Sequence, residues 1–169
     1  KKLGLDKIVW VFMDYKTETG GSAGSQVGAR AAGERTMWGV PLKDISSGDA
    51  HYQEFGASPM KGYDSPGDVD RYPYWPDPDH FDYEGAVSLA RRASLDFAVI
   101  GPWVSFFEIY CQLRGIEQAL MDVLMYPDLV QATLDRVEDI QTQMMKRYLD
   151  QAAQYIDLVF VSDDIGGQS

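Results

Sequence analysis

Three short apolar runs lie along the chain, at residues 8–13, 97–100 and 156–161. They are too short for buried helices and rich in β-branched and aromatic side chains, so each predicts a buried strand of a parallel sheet. The last run leads into Ser162 and the acidic pair that follows it. In α/β barrels and open α/β sheets the carboxyl ends of the strands carry the site. We therefore expect functional groups just after these runs.

A period of three to four residues predicts helices between the runs. Residues 82–93 repeat apolar side chains at helical spacing and carry arginines near their end, where cations complement the helix dipole. Residues 106–113, 116–125 and 127–153 are the other long predicted helices, and Gly115 stops the first of them. The apolar stripe predicted for the longest helix consists of Val130, Leu134, Val137, Ile140, Met144, Tyr148 and Ala152.

The region between the first two predicted strands is more irregular. Residues 16–34 are polar and glycine-rich, which predicts a long mobile loop that acts as a lid. Residues 36–41 and 50–55 are predicted as the two strands of a β-hairpin. Ser65 as N-cap and a proline at the first helical position predict a short helix, whereas the three prolines in residues 72–78 require extended chain.

The order of these elements gives the predicted fold class, which is α/β with a parallel sheet built from βαβ units. Because the chain opens without Met on what reads as a helix tail and stops just past a strand, we interpret it as a segment of a longer protein. The prediction is one partial domain over residues 1–169. Within it, residues 14–80 form an elaborated loop and hairpin region, and residues 81–169 form βα units.

Charge and composition exclude several classes of partner. The net charge of −11 repels nucleic acid phosphates and anionic lipid, so neither nucleic acid nor a membrane surface is expected to bind. Residues 97–107, the longest nearly apolar stretch, are about half as long as a membrane-spanning helix requires. The single cysteine, Cys111, excludes an internal disulfide framework, and the cytoplasm is the default expectation.

The acidic pair Asp163 and Asp164 is the strongest candidate for a catalytic or ligand-binding role. Acids at the end of a buried strand can serve as a base, a metal anchor or an acceptor for a cationic ligand. Successive side chains leaving a strand point to different sides, so one of the two can face a cavity while the other caps a helix or orients a loop N–H. Gly166 and Gly167 fit either close backbone approach to a ligand or a tight turn.

Glu108 is the second candidate, because a carboxylate in an otherwise apolar run is costly to bury without a partner. It shares a helix face with Cys111, three residues later. Trp103 and Tyr110 flank it and fit either a packed core or a platform for a ligand. The chain's two histidines and Cys111 show no metal-binding spacing, so no metal site is predicted within this segment.

Several motifs together resemble the uroporphyrinogen decarboxylase superfamily. These are residues 157–168, the Gly-Pro-Trp strand exit at 101–103, the Leu-Arg-Gly at 113–115 and residues 120–128. Residues 38–41, 51–54, 58–60 and 74–78 are similar to the amino-proximal hairpin region of its members. The resemblance implies a (β/α)8 barrel of the TIM type with an inserted β-hairpin, of roughly twice this length, with about half of the barrel present here.

One branch of the superfamily, the true decarboxylases, removes acetate carboxylates from a tetrapyrrole in haem biosynthesis without a cofactor. The resemblance would require an aspartate in a Phe-Ser-Asp motif and a tyrosine five residues after the strand-exit tryptophan. Here that motif is absent, and the tyrosine position falls on Glu108. An acid at this position would repel an octacarboxylate substrate.

The other branch resembles corrinoid-linked methyltransferases, and our interpretation favours it. The resemblance implies a small-molecule substrate, a corrinoid protein as partner and zinc, the zinc being held by residues outside this segment and keeping a thiol in its nucleophilic thiolate form. Asp163, Asp164 and Glu108 are the predicted catalytic residues. The predicted substrate-binding residues are Trp103, Tyr110, Gly166, Gly167 and Gln168.

A non-catalytic fragment or interaction module is the remaining alternative, and we expect this segment alone to be inactive even if the whole protein is an enzyme. An open set of strands exposes edges and an apolar interior, so such a segment alone is expected to aggregate or to pair with a second copy as a homodimer. The sequence does not determine which methyl donor or which tetrapyrrole is the substrate.

Overall fold

The structure is a computed structural model that describes residues 7–16, 22–23, 35–47 and 50–163. Its strands are β1 (Ile8–Trp10), β2 (Tyr15–Lys16), β3 (Ser22–Ala23), β4 (Leu42–Ser47), β5 (Ala50–Phe55), β6 (Ala98–Val104) and β7 (Leu158–Val161). Its α-helices are α1 (Pro66–Asp70), α2 (Tyr83–Ala93), α3 (Phe107–Arg114), α4 (Ile116–Met125) and α5 (Pro127–Ala152). Short 3-10 helices cover Pro78–His80 and Ala153–Tyr155.

The predicted α/β class is confirmed, and the three apolar runs form one parallel sheet. Strand β6 lies in the middle, with β1 on one side and β7 on the other. The strand bounds differ from the prediction in one important way. Strand β6 continues through Gly101 and Pro102 to Val104, so the predicted strand exit lies inside the strand. The β6–β7 register shifts between Ile100 and Trp103, because β6 has one residue more than β7 over this stretch.

The predicted hairpin exists, but its predicted first strand was wrong. Strand β4 pairs antiparallel with β5, and residues 36–41 precede the pair instead of belonging to it. They form a tight turn in which the Thr36 N–H donates to the Val40 carbonyl at 2.8 Å. Gly39 has a φ of 78°, a conformation that side-chain-bearing residues rarely adopt, and this turns the chain before a strand can form. The neighbouring Trp38 is buried in the core instead.

The helix predictions are confirmed to within one or two residues. Asp68 accepts hydrogen bonds from the N–H and hydroxyl of Ser65 at the start of α1, and the Asp82 side chain accepts from the Gly85 N–H in α2. Helix α3 ends at Gly115, as predicted. Among the described residues, no helix is both long enough and apolar enough to cross a membrane.

The buried stripe of α5 agrees with the prediction only from Val137 onward. In its first half the buried residues are Leu129 and Thr133, and the predicted Val130 and Leu134 are only half-buried. Helix α5 contacts α1, α2, α3 and α4, so more than one side of it is covered. Sequence periodicity finds the stripe but not which neighbours cover it.

One face of the parallel sheet is covered by helices and the other is not. Val11 and Val99 point into a core shared with α2 and α5. On the opposite face Trp10 and Phe160 meet edge to face, with ring centroids 5.1 Å apart, and both remain exposed. The prediction of buried strands is therefore confirmed for β6 and wrong for β1 and β7. Every residue of β7 is exposed, so the described helices leave both faces of that edge strand uncovered.

Candidate functional site

The carboxyl ends of β6 and β7 lie side by side and are tied together by side chains. Val104 is in register with Val161, and the Ser162 N–H donates to the Val104 carbonyl at 3.2 Å. The indole N–H of Trp103 donates to the Ser162 hydroxyl oxygen at 2.8 Å. Helix α3 starts immediately beyond β6, so its amino terminus lies at this edge of the sheet.

Asp163 caps the amino terminus of α3 from the neighbouring strand. Its Oδ2 accepts from the N–H groups of Phe106 at 2.8 Å and Phe107 at 3.0 Å. Its Oδ1 accepts from the Glu108 N–H and the Ser105 hydroxyl, both at 2.8 Å. Helix α3 has no capping side chain of its own at Phe106. A carboxylate more than fifty residues away therefore satisfies N–H groups that a helix start leaves unpaired.

The electrostatics of this cap favour the ionised carboxylate. Partial burial alone would raise the pKa of Asp163, but the hydrogen bonds from the three backbone N–H groups and Ser105 outweigh it, so the pKa lies below its ordinary value. The positive end of the α3 dipole acts in the same direction. Asp163 is thus a weak proton acceptor, and its observed contacts position the start of α3.

Two residues that the sequence did not single out complete this edge. Ser105 is fully buried, and its backbone N–H donates to Oε1 of Gln141 on α5 at 3.2 Å. The Gln141 amide donates back to the Ser105 carbonyl. A serine between a strand and a helix is typical of a helix cap, so the sequence could have marked Ser105. Gln141 is a polar residue beside the apolar stripe of α5, and this exception to the pattern could have marked it too.

Glu108 lies in the first turn of α3, next to the cap. Its backbone N–H contacts Asp163, and its side chain is half-buried, with Oε1 accepting from the Gln112 amide at 3.4 Å. Cys111, one turn further along α3, is also half-buried. The structure therefore brings Glu108 and Asp163 to one edge of the sheet. The predicted site residues Asp164, Gly166, Gly167 and Gln168 lie outside the described residues.

The two predicted aromatic ligand contacts are buried side chains. Trp103 is 5% exposed, and its indole N–H is hydrogen-bonded to Ser162. Tyr110 is 0% exposed and donates its hydroxyl to Asp122 Oδ2 at 2.6 Å, which places it between α3 and α4. Burial, followed by its hydrogen bond to Asp122, raises the pKa of Tyr110. The structure does not bring Tyr110 to the edge that holds Glu108.

A buried ion pair holds the carboxyl end of α3 to α4. Arg114 donates from Nε to Asp122 Oδ2 at 2.6 Å and from Nη2 to Oδ1 at 3.0 Å. Gln118 and Tyr110 donate to the same carboxylate, and Arg114 also donates to the Met60 carbonyl. Burial raises the pKa of Asp122, but these hydrogen bonds outweigh it and the pKa is lowered. The pattern fits a structural clamp.

His, Cys, Asp and Glu side chains, which bind metal ions in proteins, are scattered over the described residues. Within that part of the chain, no cluster of three or more His, Cys, Asp or Glu side chains could hold a metal ion. Most of the glycine-rich stretch predicted as a lid lies outside the described ranges.

Comparisons with models of known protein families, with curated proteins and with solved structures find no match. The described residues define an α/β protein with a parallel sheet, in which a carboxylate at the end of one strand caps the helix that follows its neighbour.

Proposed function

We propose that the chain is part of a (β/α)8 barrel enzyme of the uroporphyrinogen decarboxylase superfamily that carries out corrinoid-linked methyl transfer. Three consecutive parallel strands with helices on one face support the barrel, since barrel strands bury their other face against the barrel interior. The exposed face with Trp10 and Phe160 is apolar, as such an interior requires.

The observation that carries the proposal is the position of Glu108. It lies half-buried in the first turn of α3, at the carboxyl edge of the sheet where barrel enzymes hold their substrates. The ionised Asp163 lies directly beneath this turn. Two acids at one edge create a negative potential that favours a cationic methyl donor, does not act on the charge of a neutral one and repels a polycarboxylate.

The roles of the chain's own residues follow from these contacts. Asp163 fixes the start of α3 and so positions Glu108, whose carboxylate would orient the methyl donor by its charge. Corrinoid, carried by a partner protein, supplies the methyl-carrying centre in this class of reaction. The described residues offer no zinc cluster, so the proposal assigns no zinc ligand to them.

The test is a transfer assay with methylcobalamin and a thiol acceptor. We expect the full-length protein to demethylate methylcobalamin, measured by absorbance, and to form the methyl thioether, measured by mass spectrometry, whereas residues 1–169 alone, with about half of the barrel, should be inactive. Glu108→Gln should lower the rate about tenfold, because it removes the orienting charge without changing side-chain size. Glu84→Gln, in the first turn of α2, is the matched control and should leave the rate unchanged.

The same preparation distinguishes the alternatives. Conversion of uroporphyrinogen to a product with fewer carboxylates, without methylcobalamin turnover, would reject methyl transfer in favour of decarboxylation. Absence of both activities in the full-length protein, with zinc and thiol added, would favour the non-catalytic alternative.

A further inference from the structure

Gln141 is a buried polar residue beside the apolar stripe of α5. Val137 and Met144, one turn before and after it, are apolar and buried, and Gln141 itself is 1% exposed. Its Oε1 accepts from the Ser105 N–H at 3.2 Å, and its amide group donates to the Ser105 carbonyl. A carboxamide carries an acceptor and a donor side by side, as a peptide group does. Gln141 therefore pairs with Ser105 much as a neighbouring strand would.

Ser105 depends on this partner because it lies just beyond the end of β6. The strand ends at Val104, and Ser105 is 0% exposed. A buried N–H or carbonyl that has left the sheet costs free energy unless another group pairs with it. Gln141 pairs with both groups of Ser105, so it fixes the two peptide groups on either side of this residue. The direction in which the chain leaves β6 is thus set from α5.

The start of α3 is held from a second direction by Asp163. The Ser105 hydroxyl donates to Asp163 at 2.8 Å, and the next three backbone N–H groups donate to the same carboxylate. Ser105 is therefore the residue where the contacts from α5 and from β7 meet. Glu108 follows it by three residues, in the first turn of α3. A shift of Ser105 would move that turn and the Glu108 carboxylate with it.

An apolar residue at position 141 would suffice for packing alone. Burial of an amide costs free energy, and its hydrogen bonds offset that cost only when they are complete. Such a contact is useful where a reacting group must be held closely in place, because a small misplacement lowers the rate strongly. We propose that Gln141 is a positioning residue, which fixes Ser105 and so holds Glu108 at the carboxyl edge of the sheet. This inference rests on the role of Glu108 in the proposed methyl transfer.

The experiment is a double-variant cycle on the full-length protein with methylcobalamin and a thiol. Gln141→Met keeps the side-chain length but cannot hold the Ser105 main chain, and it should lower kcat about fivefold and change KM less than about twofold. In the Glu108→Gln background it should lower kcat less than about twofold, because the charge that it positions is already absent. Gln131→Met is the matched control on α5, since Gln131 is exposed and bonded to Asp135, and it should leave kcat unchanged.

NMR spectra of the same proteins give a readout that does not depend on activity. In the wild type the side-chain amide protons of Gln141 should exchange with solvent at least about tenfold more slowly than those of Gln131, since only the former are buried. Gln141→Met should shift the backbone amide signals of residues 106–108, and Gln131→Met should not. Thermal unfolding gives a temperature at which every variant is folded for the assay.

Three results would overturn the inference. They are an equal loss of kcat on Gln141→Met in both backgrounds, a Gln141 amide that exchanges like that of Gln131, and unshifted signals of residues 106–108. A wild type that does not turn over methylcobalamin but shows the expected NMR changes would reject the proposed chemistry and retain Gln141 as the residue that positions Glu108. If Gln141→Met does not fold, Gln141→Glu, which keeps an acceptor for the Ser105 N–H, takes its place in the cycle.

Discussion

The two ends of α3 are both held by aspartates, in different ways. At the amino end Asp163 binds backbone N–H groups and a hydroxyl, and reaches them from β7. At the carboxyl end Asp122 binds the guanidinium of Arg114 from only eight residues away in the chain. The first contact depends on the assembled sheet, whereas the second joins two consecutive helices. Helix α3 is therefore held at its amino end by a residue that is distant in the chain and at its carboxyl end by the next helix.

The surroundings of the two carboxylates also differ. The Arg114 and Asp122 side chains are 2% and 0% exposed, so loss of one partner leaves the other charge buried. Asp163 is only partly buried, and water can reach the N–H groups that it releases. The consequences of removing each carboxylate should therefore differ in size, which gives the following tests.

Removal of Asp122 should have the largest effect. Asp122→Ala leaves Arg114 charged and unpaired in the core, and we expect a loss of about 3–5 kcal/mol in the free energy of unfolding by urea denaturation. Asp139→Ala is the control, because Asp139 pairs with Arg136 on the exposed face of α5 and should cost no more than about 0.5 kcal/mol.

The double variant Arg114→Met with Asp122→Leu sharpens this prediction. It removes both charges together, so its loss should be clearly smaller than that of Asp122→Ala. If the double variant is as unstable as the single one, the cost lies in side-chain packing and not in the uncompensated charge.

Removal of Asp163 should have the second largest effect. Asp163→Ala should cost about 2 kcal/mol, at the upper end for a helix cap, because several N–H groups lose their acceptor. Asp82→Ala, at the start of α2, is the comparison and should cost about half as much, since Asp82 accepts from one backbone N–H at 3.3 Å and its ion pair with the exposed Lys16 contributes little. Equal losses would show that the additional contacts of Asp163 contribute little.

Acid should weaken both ends of α3 in the same direction. The pKa values of Asp122 and Asp163 are lowered in the folded protein, so near pH 4 the unfolded chain binds more protons. The stabilisation is present above the unfolded-state pKa of about 3.9 and is lost as the pH falls through the folded-state values. The urea concentration at the midpoint of unfolding should therefore decrease as the pH is lowered from 6 to 2. In Asp163→Asn this decrease should be smaller, because one of the two carboxylates no longer titrates.

The smallest effects concern two buried tyrosines. Tyr110 donates to the ionised Asp122, so Tyr110→Phe should cost about 1.5 kcal/mol. Within the described part of the chain the Tyr148 hydroxyl has no hydrogen-bond partner, and burial raises its pKa to about 12. Tyr148→Phe should therefore be neutral or stabilise by up to about 1 kcal/mol. A clear loss in Tyr148→Phe would indicate a partner for its hydroxyl.

The comparison also shows how far the sequence determines this structure. Apolar runs and helical periodicity located the parallel strands and the helices, since both depend on neighbours in the chain. They missed the turn at Gly39, where one backbone conformation overrides a strand-like pattern. They also treated the exit at Pro102 as the end of β6, although the strand continues past it.

The sequence predicted the candidate site less well than it predicted the strands and helices. The position of Asp163 just after a strand marks it as a candidate, and capping a helix is one of the roles that the sequence allows for the acidic pair. Its actual partner, the amino terminus of α3, could not be found, because nothing local links residues more than fifty apart. Tyr110 was selected as an aromatic residue near Glu108, but its side chain points to Asp122. Helical spacing alone does not give that direction.

The most direct test of this account is the pKa of Asp163, measured by following its carboxyl carbon in an NMR titration of the folded protein. An ionised cap on α3 predicts a value below the ordinary aspartate pKa of about 3.9, with the amide protons of Phe106, Phe107 and Glu108 shifting in the same titration. A value at or above about 3.9, or amide protons that do not respond, would contradict the cap and leave Asp163 available as a proton acceptor.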